Sequence, residues 1–107
     1  MASAIQSEYR FRSRLWRWSG GKAAWYFITL PARVSREIRI VDAGPKRRGF
    51  GALRTEVTIG RSTWTTSVFP SSPLKAYLLP VKAAVRKAEK LEPGRMVEAL
   101  LRVRRGG

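Results

Sequence analysis

Residues 9–18 read YRFRSRLWRW, with arginine at alternate positions and mostly aromatic or aliphatic residues between. A helix would scatter these arginines around its circumference. A strand separates them, because its side chains alternate between two faces. Tyr9, Phe11, Ser13 and Leu15 then share one face, and Arg10, Arg12 and Arg14 the other. The phase slips at the end, where Trp16 and Trp18 join the arginine face and Arg17 the apolar one. That slip predicts a bulge, or a strand end covered on both sides.

The same period recurs along the chain. After the SGGK turn, residues 23–30 (AAWYFITL) are apolar almost throughout and predict a central strand buried on both faces. Pro31 suits the first turn of a helix, so residues 32–41 form a short helix or an irregular turn-and-strand. Residues 42–51 (DAGPKRRGFG) are a basic loop punctuated by glycine and proline. Residues 52–59 and 63–69 read as a hairpin through Gly60 and Arg61, with Leu53, Thr55, Val57 and Ile59 on one face and Trp64, Thr66 and Val68 on one face of the partner. A short strand at 76–79 precedes a helix over 80–90, on which Val81, Ala84, Val85 and Ala88 cover one side and Lys82, Arg86 and Lys90 the other. Residues 96–104 are a last strand with Val97, Ala99, Leu101 and Val103 inward. ITLPARVS and YLLPVKAAV echo each other as strand, Leu-Pro and helix start, as a weak duplication would, although a two-residue match does not establish one.

Strands outnumber helices and no βαβ alternation is sustained. The expected fold is therefore mainly β: one antiparallel barrel of about six strands, with the helix at 80–90 and a short second helix as one reading of the stretch after Pro31. The chain of 107 residues is one domain's worth, with a barrel core over 8–104 and flexible tails at 1–7 and 105–107.

Composition narrows the chemistry. There is no cysteine and no histidine, which removes thiolate chemistry, the commonest metal ligand and the commonest general base. The acids Glu8, Glu37, Asp42, Glu56, Glu89, Glu92 and Glu98 are scattered without paired or metal-ligand spacing. Ser67 as a nucleophile has only Lys82 near it in sequence. We therefore expect no enzyme, no metal and no cofactor. The N-terminus lacks an apolar signal region, and no run approaches the ~20 residues that span a bilayer, so a cytoplasmic protein is expected.

Charge is the strongest compositional signal: 22 Lys and Arg against seven Asp and Glu give a formal +15. The leading expectation is a binding module that engages nucleic acid or another polyanion through Arg10, Arg12, Arg14, Lys46, Arg47, Arg48, Lys82, Arg86, Lys90, Arg102, Arg104 and Arg105. If the first and last strands are neighbours, their arginine faces merge into one patch. Arg48, Gly49, Phe50 and Gly51 overlap an RNA-recognition fingerprint, but its other stacking aromatics are missing. The alternative is a barrel that binds a small ligand through Trp16, Trp18, Thr65 and Ser67, with Thr63 on the same hydroxyl face. Trp25 and Trp64 lie in apolar strand patterns that predict core packing. A structural or regulatory oligomer is a third reading.

The segments F-x-x-x-LWRW, WYFITLP, GFGALRTEVTIG, WTTSVFP, YLLPVKAAVRKAE and L-x-PG-x-x-V, over roughly residues 9–104, together resemble the domain-of-unknown-function family DUF1905. The resemblance implies a compact β-barrel found in bacteria and archaea, elsewhere followed by a bacteriocin-protection, OmpD-associated domain that is not expected after Gly107. The family carries no assigned activity. Arg95 departs from the acidic residue that more often follows the glycine of its PG turn.

Overall fold

A computed structural model describes residues 5–43 and 51–104. Six strands, β1 (Ile5–Gly20), β2 (Ala23–Thr29), β3 (Leu53–Ile59), β4 (Ser62–Ser71), β5 (Ala76–Pro80) and β6 (Met96–Arg104), close into a barrel in the order β1-β2-β5-β4-β3-β6. Every neighbouring pair is antiparallel. Two helices complete it: α1 (Ala32–Glu37), which runs on as a π-helical turn over Ile38–Ala43, and α2 (Ala83–Glu89). The chain thus repeats one pattern, hairpin, helix, strand, and the strand order has the symmetry of a pseudo-two-fold axis. The axis passes between β2 and β5, where Leu30 N–H donates to the Tyr77 carbonyl and Val81 N–H to the Tyr26 carbonyl, both at 2.9 Å. Tyr26 and Tyr77, Leu30 and Val81, and the first helical residues Ala32 and Ala83 are counterparts at constant spacing. The Leu-Pro echo in sequence is out of step with this correspondence: it aligns Leu30-Pro31 with Leu79-Pro80, whereas the structure sets Leu30 against Val81 and Pro31 against Lys82.

The inward faces follow the expected alternation. Tyr9, Phe11 and Leu15 of β1, Leu53, Thr55, Val57 and Ile59 of β3, and Val97, Ala99, Leu101 and Val103 of β6 are all buried. They fill the lumen as side chains do in a small barrel. Thr55 pairs its hydroxyl with the Thr66 carbonyl at 2.9 Å, so burial leaves it satisfied.

Three expectations are corrected. The slip in β1 is not a bulge: its register with β2 runs unbroken from Leu15↔Ile28 to Gly20↔Ala23, and the irregularity lies at Ile5/Ser7. The end of β1 simply outruns β6, whose pairing stops at Arg14↔Met96, so Arg17 meets solvent and not core. The run at 23–30 is not buried on both faces, since only Ile28 and Leu30 are buried and Trp25 is 54% exposed. In an antiparallel barrel only one face of a strand meets the lumen. On α2, Val85 is buried but Ala84 and Ala88 are exposed; the helix is shorter than expected, Ala83–Glu89, and Val85 is its one buried residue. Of the expected flexible tails, residues 5–7 belong to β1; residues 1–4 and 105–107 lie outside the described residues.

Candidate ligand-binding cleft

The short β5 creates the site. It pairs with Phe27–Thr29 of β2 on one side and Phe69–Ser71 of β4 on the other, then leaves the sheet after Pro80. Ala23–Tyr26 and Ser62–Val68 are left with no described strand between them. The resulting cleft has a volume of about 1060 Å³. Its floor is Pro80, Val81 and Lys82, and its walls come from β2 and β4.

Aromatic rings dominate those walls. Trp16 lies opposite Phe27 and Trp18 opposite Trp25 in the β1–β2 register. The Trp16 and Phe27 rings are 5.2 Å apart and tilted, and Trp25 stacks on Phe27 at 6.4 Å, both within the range of favourable ring pairs. Trp16 is oriented by its Nε1–H, which donates to Thr29 Oγ1 at 2.8 Å. Trp18 folds back over Gly20, where a Cβ would collide with the indole. Even so, Trp18 and Trp25 stay about half exposed, and Phe69 and Leu74 continue the apolar surface on the β4 side. Hydroxyls follow from the same alternation. Thr65 and Ser67 point outward beside the cleft and line it with Thr66 and Ser71, while Thr63 is taken by Thr58 at 2.9 Å.

Among the described residues three cations, Arg54, Lys82 and Arg86, complete the lining, and no carboxylate is among it. Arg86 is fixed in place: its Nε–H donates to the Val81 carbonyl at 3.1 Å, and its guanidinium lies 3.5 Å over the Tyr26 ring. Of the expected Lys82–Arg86–Lys90 stripe, Lys82 stands just before the helix and Lys90 ends it in a left-handed conformation; Lys82 and Arg86 line the cleft and Lys90 is not among its lining residues.

The expected arginine face does form, on another part of the barrel. β1 pairs with β6, so Arg10, Arg12 and Arg14 share an outer surface with Arg102 and Arg104. Acids interleave it: Glu98 lies opposite Arg12, and Glu8 and Glu56 hold Arg102 at 2.7 and 3.0 Å. These two carboxylates raise the pKa of the half-buried Arg102 guanidinium. Lys46, Arg47, Arg48 and Arg105, with most of the RNA-recognition-like stretch, lie outside the described residues. Among the described residues no three acidic side chains gather as metal ligands would, and no helix is long and apolar enough to cross a membrane.

Of the small-ligand candidates, Trp16, Trp18, Thr65 and Ser67 all meet in the cleft, joined by Trp64, which is half-buried against the core. Trp25, Tyr26, Phe27 and Arg54 are lining residues that strand periodicity did not single out. The available signal was the length of the apolar run at 23–30, which serves two surfaces: the lumen through Ile28 and the cleft through Trp25 and Phe27.

Fold and site together define a duplicated six-stranded barrel with an aromatic cleft where one strand leaves the wall. The family model for a domain of unknown function, DUF1905, matches residues 11–101, and the chain belongs to that family. No curated protein matches its sequence.

Proposed function

We propose that this chain is a non-catalytic binding module whose cleft takes a small molecule with a flat ring. The observation that carries this reading is the aromatic cluster along a concave wall, with Trp18 and Trp25 exposed and Trp16 and Phe27 half-buried beside them. Large apolar rings left half in water on an otherwise well-packed barrel mark a binding surface. The hydroxyls of Thr65, Thr66 and Ser67 supply the few polar contacts that orient a ligand. The test is titration with N-phenyl-1-naphthylamine, an uncharged two-ring probe, followed by its emission and by quenching of tryptophan. Wild type should bind it, and Trp25→Ala should weaken binding by roughly tenfold, as for loss of a stacking partner. Absence of binding, or binding indifferent to Trp25, sinks the proposal.

A second reading rests on the merged β1–β6 arginine face, which would hold nucleic acid through phosphates without reading bases. Its interleaved acids weaken it. If it holds, affinity for single-stranded DNA falls steeply with salt, and replacing Arg10, Arg12 and Arg14 by glutamine lowers the log–log slope by about 0.7 for each phosphate no longer neutralised. An unchanged slope assigns those arginines to solvation alone.

A further inference from the structure

The two halves of the barrel carry different residues at one decisive pair of counterparts, Ser35 on α1 and Arg86 on α2. Ser35 is buried. Its hydroxyl donates to the Leu30 carbonyl at 3.2 Å and accepts from the Tyr77 N–H at 3.0 Å. Arg86 reaches the counterpart carbonyl, that of Val81, and in place of a contact with the tyrosine backbone lies over the Tyr26 ring. Leu30 and Val81 are counterparts, as are Tyr77 and Tyr26. One half thus closes its seam with a small hydroxyl, and the other places a guanidinium at the same point of an open seam.

The local backbone gives no reason for that guanidinium, since serine satisfies the same carbonyl in the first half. Only Nε is engaged there, and Arg86 has no carboxylate partner among the described residues. Stacking on Tyr26 holds the planar fork in place, and an arginine so held can meet an acidic group with two parallel N–H donors. Lys82, in the cleft floor, and Arg54, on β3, add positive charge, and among the described residues no acid lines the cleft to oppose it.

We infer that the cleft selects a ring-bearing organic anion, with the acidic group held by Arg86 and assisted by Lys82. This rests on the small-ligand reading above and names its ligand class. The charge distinguishes the site from an apolar groove, whose affinity would not depend on an acidic group.

The experiment compares two probes that share their rings. One is 8-anilino-1-naphthalenesulfonate, the other its uncharged analogue N-phenyl-1-naphthylamine; both are titrated into wild type, Arg86→Ser, Arg86→Lys and Lys82→Gln. Wild type should prefer the sulfonate by roughly tenfold or more, the effect of one charge-assisted contact. Arg86→Ser, which installs the residue of the other half, should abolish most of that preference and leave the uncharged probe within about twofold. Lys82→Gln should lower the preference by a smaller factor. Thermal melts establish that each variant is folded. If Arg86→Ser does not fold, Arg86→Lys decides, since it keeps the charge but loses the fork and should bind the sulfonate several-fold more weakly. Equal binding of both probes by wild type overturns the inference while leaving the small-ligand reading intact. So does a sulfonate preference that survives every variant. Failure of both probes to bind overturns the two together.

Discussion

The two seams of this barrel have the same backbone plan and opposite outcomes. Beside α1, Val34, Ser35 and Ile38 are all buried and pack the seam shut. Beside α2, the counterparts are Val85, Arg86 and Glu89, and only the valine is buried. The helical segments also differ in length. The first runs six α-helical residues and six π-helical ones before the chain meets Gly44 and Pro45. The second stops after seven, at Lys90 in a left-handed conformation, with Pro93 close behind. The longer segment reaches Asp42, which accepts hydrogen bonds from Ser7 Oγ and Tyr9 Oη, both at 2.7 Å. The shorter one ends at Glu89, which accepts from Ser62 Oγ at 2.7 Å and from the Arg61 N–H at 3.3 Å. Ser62 is the counterpart of Tyr9, so each helix is clipped to the barrel by one acid. A duplicated scaffold can therefore dedicate one seam to stability and leave the other open, through a few side chains and about one turn of helix.

That contrast can be broken from the sealed side first. Ile38→Ala should cost about 2–4 kcal/mol in urea unfolding, because a fully buried aliphatic leaves a cavity. Glu89→Ala, at the counterpart position, removes partly exposed hydrogen bonds and should cost about 1 kcal/mol or less. Equal losses at the two sites would mean that the seams share the load.

A second measurement sharpens the role of the Glu89 clip. Gly60 has φ +59°, and a Cβ there would run into the Glu89 carboxylate. Gly60→Ala should destabilise by roughly 1–2 kcal/mol, part from the left-handed backbone and part from the displaced carboxylate. In a Glu89→Ala background the second part should vanish, and a double-mutant cycle measures it. Additive losses would confine the whole effect to backbone strain.

The smallest expected effect appears only at high pH. Burial, and after it the hydrogen bond to Asp42, push the Tyr9 phenol above its ordinary value of 10.0. The folded state then holds its proton where the unfolded chain releases it. Stability from this group is intact below about pH 10 and falls as pH rises from there toward the raised folded value. Tyr9→Phe should lose about 1 kcal/mol at neutral pH from the missing hydrogen bond. Its stability should also decline less steeply than wild type above pH 10. Parallel alkaline profiles would show that Tyr9 does not set the slope.

Much of the architecture was legible locally. Alternation placed the inward faces of β1, β3 and β6 because the period of a strand does not depend on what it packs against. Glycine and proline marked the turns because they restrict or relax the backbone wherever they stand. The Leu-Pro echo suggested a repeat but in the wrong register, since the structure sets Leu30 against Val81 and not Leu79. Half the cleft was legible too, since Trp16 and Trp18 broke the arginine pattern and Thr65 and Ser67 shared a face.

Other features depend on neighbours distant in sequence. Trp25 looked like core because apolar content does not say which of two faces meets the lumen. Arg86 looked like one cation in a solvated stripe, although Tyr26, far away in sequence, lies beneath it. The arginines of β1 were visible as a row, but whether Glu8, Glu56 and Glu98 interleave them depends on which strands pair. By itself, then, the sequence determined the strands, the barrel class and a basic, histidine- and cysteine-free chemistry, because these follow from backbone period and composition. The tertiary structure decided which seam closes and which stays open, because that depends on the register of β5 against β2 and β4 and on the residues the two-fold brings into correspondence.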